Sequence, residues 1–309
     1  METETHTHQK KRTLEDIVRE YSTPLSILAA GALVALSLQY GPTGNGRNAT
    51  AATSNPAQLQ ESVIPTAGVV LPITWGDLGA KLVETGTIDP AKLEALYKDR
   101  GGFPAEYRKM IEKNANDKIV ITSQNSGYLL NLLWALGLAN KNPILEDKNE
   151  MMNPAYKGAG NFASTGGWTL AQGKAMDHYN MHPLITLTAN QQAIVDRVSR
   201  NIYRPCCGNS THFPDCNHGM AMLGLLELMA SQGVSEQDMY KTALAVNSFW
   251  FPETYLTIAT YMQQKGVVWK DVSPQEMLSA PYSSSSGYQN ITSEVTKLPQ
   301  VQSGGGCSA

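Results

Sequence analysis

Charged residues are scarce in this sequence, and they carry only a small excess of negative charge. They make up 17% of the 309 residues, and the formal net charge is −3 at pH 7. Lysine and arginine are spread along the chain. They do not form a basic stripe with interleaved aromatic residues, which is the usual pattern of a nucleic-acid-binding domain. We therefore expect no nucleic-acid partner. With 42% hydrophobic residues, the composition is still that of an ordinary globular protein.

Several common catalytic motifs are missing from the sequence. It contains no GxxxxGK[ST], no GxGxxG after a strand, no GxSxG and no HExxH. These absences argue against phosphate-binding loops, dinucleotide-binding folds, serine hydrolase elbows and helix-borne zinc protease sites. The haem-attachment motif CxxCH is also missing, and the cysteine spacing does not match iron–sulfur patterns. Iron and haem therefore rank below other metals as expected cofactors.

Cysteine is rare, but three of the four cysteines lie in one short segment. The pattern Cys206-Cys207-x4-His212-x3-Cys216-x-His218 places five candidate ligands within 13 residues. Thiolate sulfur and imidazole nitrogen are the ligands that soft or borderline metal ions prefer. The sequence therefore predicts a metal site at Cys206, Cys207, Cys216 and His218, with His212 as a further candidate ligand.

The metal expected first at this site is zinc, because closed sites of cysteine and histidine usually hold zinc. Copper comes second, since Met220 and Met222 follow the cluster directly and thioethers are soft ligands. The pattern is compatible with a structural role, with metal handling and with metal-assisted catalysis.

The same thiols support other interpretations. Disulfides are natural outside the cytoplasm, and Cys216 and Cys307 are then the favoured partners because a Cys206–Cys207 bridge would close a strained ring between neighbours. A disulfide-stabilised interaction or scaffold module would have no catalytic role. A thiol oxidoreductase would instead use Cys216 or Cys207 as the reactive group. Inert buried cysteines are the remaining interpretation.

The cluster is predicted to lie in a loop between two helices. Pro205 disfavours helical geometry at the preceding residue, so the first helix should end near Tyr203. The second should begin between Asp215 and His218. The positive end of its dipole would favour the thiolate of Cys216.

A second histidine pair precedes the cluster. His178 and His182 are four residues apart and would share a face if the segment were helical. Pro183 makes that helix doubtful at its end. Such spacing alone is weak support for a metal site.

An apolar segment, residues 24–40, lies near the N-terminus. Its 17 residues would span about 25 Å as a helix, the lower limit for crossing a bilayer. Four basic residues precede this segment, whereas only Arg47 follows it before Lys81, and this asymmetry keeps the N-terminus in the cytoplasm. We therefore expect a single-pass anchor in the cell membrane with the main domain extracytoplasmic. A signal peptide cleaved near Ala49–Ala51 and a buried helix are the alternatives.

The rest of the chain is predicted to be mainly α-helical. We expect a cytoplasmic segment at 1–23, the anchor at 24–40, a flexible linker at 41–63, the helical domain at 64–280 and a Ser/Gly-rich tail at 281–309. The run from Gly127 to Leu138 is apolar nearly all round, which predicts a buried central helix. Residues 140–173 look like a long surface excursion, in which 161–168 is interpreted as a turn.

Overall fold

The computed structural model describes residues 55–98, 100–112 and 115–295. Within these ranges there are twelve α-helices and two β-strands, so the prediction of a mainly α fold is confirmed. None of these described helices is both long and apolar enough to span a bilayer. The expected anchor at 24–40 and Cys307 lie outside the described residues.

The helices follow one another with short connections over most of the domain. Their bounds are α1 Pro56–Val63, α2 Leu78–Glu84, α3 Pro90–Lys98, α4 Ala105–Glu112, α5 Ser126–Ala139, α6 Ala189–Ser199, α7 Asn217–Ser231, α8 Glu236–Trp250, α9 Pro252–Gln264, α10 Pro274–Met277, α11 Ala280–Ser283 and α12 Ser285–Glu294.

The core is built around the pair α5 and α7. Both helices are apolar on every side and are buried along nearly their whole length, as expected for helices surrounded by protein. They approach closely at two glycines. A Cβ on Gly137 would lie 2.0 Å from the Met220 carbonyl oxygen, and one on Gly224 would lie 2.5 Å from that of Leu133. The two helix backbones are therefore in direct contact, which fixes the position of the N-terminus of α7.

A two-stranded antiparallel sheet covers one side of the core. Strand β1, Val69–Gly76, pairs with β2, Ala115–Ile121. The apolar run at residues 67–73 alone is too short to predict a strand. In the structure the strand continues beyond this run, and Leu71, Ile73 and Trp75 are buried in alternation with their neighbours. The side chain of Gln232, which follows α7, bonds both the backbone N and O of Thr74. The strand is thereby attached to the central helix.

The linker predicted for residues 41–63 is helical in its last part. Asn55 caps α1 by accepting a hydrogen bond from the backbone N of Ala57, and Pro56 occupies the first turn, where a missing N–H has no cost. Leu59 and Val63, four residues apart, are buried. The linker prediction is therefore wrong for 56–63, because burial of two residues on one face outweighs a polar composition.

The tail predicted for residues 281–309 also contains helix. Helix α12 begins after Ser284, whose hydroxyl accepts a hydrogen bond from Gly287 N at 3.0 Å. Gly287 packs so closely that an added Cβ would lie 2.2 Å from the Ala280 carbonyl oxygen. Ile291 is buried against the core. The serines that favoured a flexible tail act here as helix caps.

Residues 140–173 are irregular, as predicted, but they do not form a surface excursion. Ile144, Leu145 and Trp168 are buried, and Trp168 meets Trp134 of α5 edge to face at 4.9 Å between ring centroids. Asparagine side chains cap short 3-10 turns in this segment, so its backbone polar groups stay satisfied inside the protein. The turn predicted within it, over 161–168, is present.

Candidate metal and thiol site

The loop between α6 and α7 carries the predicted cluster. Helix α6 ends at Ser199, four residues earlier than expected from Pro205, and Tyr203 pairs with Ser210 in an isolated bridge. Helix α7 begins at Asn217, as predicted, with Cys216 as its N-cap residue. The Cys216 Sγ accepts a hydrogen bond from the backbone N of Gly219 at 3.4 Å. The positive end of a buried helix therefore points at this sulfur.

The structure brings together four of the five predicted ligands. The Sγ atoms of Cys206 and Cys216 are 3.5 Å apart. Ligand atoms of Cys206, Cys216 and His218 form one group within 4.8 Å of one another, and those of Cys207, Asp215 and Cys216 form a second. The three described cysteines are free thiols, and Cys206 is exposed. Cys216 belongs to both groups and is the centre of the site.

A buried arginine lies beside the sulfurs. Arg204 is fully buried, and its Nε donates to Cys216 Sγ at 3.3 Å while its Nη2 donates to the Asp215 carboxylate at 2.6 Å. A Cβ on Gly219 would lie 2.6 Å from the Arg204 Cζ. The guanidinium thus fits against Cys216 only because residue 219 has no side chain.

The surroundings of Cys216 favour its thiolate. Hydrogen bonds from the thiols of Cys206 and Cys207 and the charge of Arg204 lower the pKa of Cys216 well below its ordinary value, although burial opposes them. The thiol contacts of Cys206, with Cys207 first and Cys216 second, raise its own pKa. These contacts therefore favour the thiolate form at Cys216 and the protonated thiol at Cys206.

His218 closes the first group on its inner side. The residue is 5% exposed, and its ring packs on Phe251 at 4.3 Å and on Trp250 at 5.7 Å between centroids. Within the described residues, its Nδ1 is buried without a hydrogen-bond partner. A buried nitrogen in this state normally indicates a missing partner.

Asp215 organises the second group. Its carboxylate accepts from Arg204 and, at 2.7 Å, from the side-chain amide of Asn209. The Cys207 Sγ lies 3.8 Å from the same carboxylate. Cys207 therefore sits between a carboxylate and the Cys216 sulfur.

His212 lies in a different environment from the thiols. Its Nδ1 is 2.5 Å from the Glu150 carboxylate and its Nε2 is 2.9 Å from that of Asp196. Its ligand atoms group with Asp147 and Glu150 among the described residues. Contrary to the sequence prediction, both of its ring nitrogens contact carboxylates, and it links the cluster loop to α6 and to the 140–173 segment.

His178 and His182 meet without sharing a helix. Asn180 between them has a positive φ of 57°, which interrupts any helix there. Their Nδ1 and Nε2 atoms are nevertheless 3.2 Å apart, and His178 Nε2 donates to the Gln172 carbonyl at 2.8 Å. The two imidazoles are therefore close although the helix that the sequence left doubtful is absent from this segment.

Sequence reasoning missed Arg204 and Asp215 as members of the site. Their signal was weak, because a single arginine and aspartate near cysteines are common, and only their burial and mutual contact reveal their role. Comparison with known proteins adds no assignment. No family model, no curated protein and no solved structure matches the chain.

Proposed function

We propose that this domain binds one thiophilic metal ion, zinc before copper, at Cys206, Cys216 and His218. Cys207 and Asp215 lie next to this group and complete the surroundings of the ion. The observation that carries the proposal is the spacing of the two sulfurs, 3.5 Å between Cys206 and Cys216.

This spacing suits a shared metal ion. Sulfurs bonded to one tetrahedral zinc at about 2.3 Å are roughly 3.8 Å apart, whereas those of a disulfide are about 2.05 Å apart. One ring nitrogen of His218 lies within 4.8 Å of both sulfurs and can supply a neutral ligand at the same place. Two sulfurs and one imidazole are also a known zinc ligand set.

The charge of the site supports the same conclusion. The two sulfurs must lose their protons to bind the ion, and a thiolate in a partly buried place is unfavourable without compensation. The guanidinium of Arg204, fully buried and bonded to Cys216, offsets that charge. Partners of this kind tune the affinity of a metal site.

Elemental analysis of the full chain, purified without chelators or metal-affinity resin, tests the proposal. We expect one zinc ion per chain in the wild type and its loss in Cys216→Ser and in His218→Gln. Serine is a good N-cap residue, so Cys216→Ser should keep α7 intact, which circular dichroism can verify. The control Gly208→Ala lies in the same loop, where an added Cβ meets nothing within 4 Å. Wild-type protein without metal and with oxidised thiols would disprove the proposal.

A second candidate function is thiol redox chemistry at Cys216. The specific observation is the position of the Cys216 sulfur, which lies at the N-terminus of α7, accepts from Arg204 and is 3.5 Å from the exposed thiol of Cys206. In this function the Cys216 thiolate would attack a disulfide substrate, and Cys206 would then displace the bound half, forming a Cys206–Cys216 disulfide and releasing the substrate as two thiols. A metal-free chain with one fast-reacting thiol that becomes oxidised only when a disulfide substrate is added would favour this function over metal binding. Mass spectrometry after alkylation distinguishes the two.

We also propose that residues 24–40 anchor the domain in the cell membrane, with the N-terminus in the cytoplasm. This proposal rests on the apolar sequence and the basic residues before it. Resistance of the full chain to extraction from membranes by alkaline carbonate would support it. Recovery of the chain in the soluble fraction would contradict it.

A further inference from the structure

A cavity of about 740 Å³ adjoins the candidate site, and Asn217 and His218 form part of its wall. These are the first two residues of α7, directly after Cys216. His218 therefore belongs both to the ligand group and to the cavity. Volumes of roughly 300–1,000 Å³ are typical of pockets that hold small organic molecules.

The wall of the cavity is rich in aromatic rings. Tyr107 and Tyr128 stack with 3.9 Å between centroids and an interplanar angle of 1°, and Tyr97 meets both rings edge to face. Trp250, also in the wall, contacts the ring of His218. Such surfaces bind flat rings by offset stacking and edge contacts.

Polar groups of the wall are held in fixed positions. The Tyr128 hydroxyl donates to the Tyr107 carbonyl oxygen at 2.6 Å, and the Asn131 amide donates to the Tyr97 hydroxyl at 2.9 Å. Asn217 accepts a hydrogen bond from the backbone N of His218. The cavity is therefore preformed, which lowers the entropy that a ligand must lose on binding.

The number of protein ligands distinguishes catalytic from structural zinc sites. Structural zinc is enclosed by four protein ligands, whereas catalytic zinc has three and keeps one position open. In the structure, Cys206, Cys216 and His218 form a three-residue group, while Cys207 groups with Asp215 and Cys216. One of the three residues, His218, faces the cavity.

We propose that the ion held by this three-residue group has an open position toward the cavity. The cavity then takes a small organic substrate that carries an aromatic ring and an oxygen donor for the ion. The ring would lie against Tyr107, the half-buried member of the tyrosine cluster, and the donor would reach past His218. This inference rests on the proposed metal site.

Binding of two hydroxamic acids to the zinc-loaded full chain tests the inference. Benzohydroxamic acid carries both the zinc-binding group and a phenyl ring, whereas acetohydroxamic acid carries the zinc-binding group alone. Because burial of a phenyl ring is favourable, we expect benzohydroxamic acid to bind at least about tenfold more tightly in calorimetric titrations.

The variant Gly127→Leu links that preference to the cavity. Gly127 is in the cavity wall and in α5, and an added Cβ there meets nothing within 4 Å. A leucine side chain should take up part of the cavity, reduce the preference for the phenyl compound and leave the zinc content unchanged. The control Ala91→Leu, on the exposed side of α3, should keep the preference.

The outcomes separate this inference from the metal proposal. If zinc is bound but neither hydroxamic acid binds, or if both bind equally, the inference is overturned while the metal site stands. A preference that is not reduced in Gly127→Leu also overturns it. A wild-type chain that takes up no zinc overturns both proposals.

Discussion

The guanidinium of Arg204 occupies the space where a side chain at position 219 would be. Its Nε donates to Cys216 Sγ at 3.3 Å, and an added Cβ on Gly219 would lie 2.6 Å from its Cζ. The same Gly219 donates its backbone N–H to Cys216 Sγ. Gly219 therefore allows two positive groups to contact the Cys216 sulfur: the buried guanidinium of Arg204 and the N-terminus of helix α7.

Gly219→Ala should weaken zinc binding because the added methyl group pushes the guanidinium away from Cys216. We expect a loss of affinity of about 10- to 100-fold, the usual effect of disturbing the partners of a metal ligand. Competition with a chromophoric chelator measures the affinity. Gly208→Ala, in open space in the same loop, should bind zinc as the wild type does. Equal affinities for the two variants would show that Arg204 does not support the ion.

Gly137→Ala and Gly224→Ala should each destabilise the fold. Their added methyl groups would meet backbone atoms of the opposite helix at 2.0 and 2.5 Å, and overpacking of this kind costs about 1–3 kcal/mol. Urea denaturation measures the free energy of unfolding. Gly127→Ala, in the same helix as Gly137 but facing open space, should be neutral or stabilising by up to about 1 kcal/mol. A similar free energy for all three variants would contradict the close approach of α5 and α7.

His212 should stabilise the protein at low pH. Burial lowers the pKa of His212, but hydrogen bonds to Glu150 and Asp196 outweigh burial and raise it above 6.5. Because the native state holds this proton more tightly than the unfolded chain, the stabilisation is present below pH 6.5 and is lost as pH rises through the native pKa.

The variant His212→Gln measures this contribution. At pH 5.5 (about one unit below the ordinary histidine pKa) we expect a loss of about 2 kcal/mol, the size of a hydrogen bond to a charged group. The difference from wild type should shrink toward alkaline pH. A difference that does not depend on pH would show that folding does not raise the pKa of His212.

Glu227 should also make the protein less stable as pH rises. This carboxyl in the middle of α7 is fully buried, and burial raises its pKa to about 8, although hydrogen bonds from Asn140 and Asn142 oppose the shift. The native state therefore binds the proton more tightly, so the free energy of unfolding should fall between about pH 4.5 and pH 8 and then level off.

Comparison of the wild type with Glu227→Gln isolates the contribution of Glu227 to the pH dependence of the free energy of unfolding. Asn140 and Asn142 point donors at position 227, so the glutamine variant will have a different absolute stability. Its difference from wild type should nevertheless change by a few kcal/mol across this pH range. Parallel stability curves would mean that folding does not raise the pKa of Glu227.

The parts of the fold that were predictable are those with local causes. Helix α5 is apolar on all sides, and no other arrangement buries such a segment. Helix α7 and its start at Cys216 follow from residues adjacent in sequence. The sulfur cluster is likewise confined to one loop. Its residues are close in space because they are close in sequence, without a contribution from distant segments.

The parts that failed depend on distant partners. His212 binds Glu150, 62 residues away, and no spacing rule connects them. The buried position of Arg204 requires the missing side chain of Gly219, which is visible only in three dimensions. Helix α12 depends on packing of Ile291 and Gly287 against the core, while its serines alone indicate a flexible tail.

The most direct test of the metal site is X-ray absorption at the zinc edge of the full chain as purified. We predict two sulfur neighbours at about 2.3 Å and nitrogen or oxygen neighbours at about 2.0 Å. Cys216→Ser should lose the zinc and with it the absorption edge. A spectrum with only nitrogen and oxygen neighbours would contradict binding at Cys206 and Cys216, as would protein without metal.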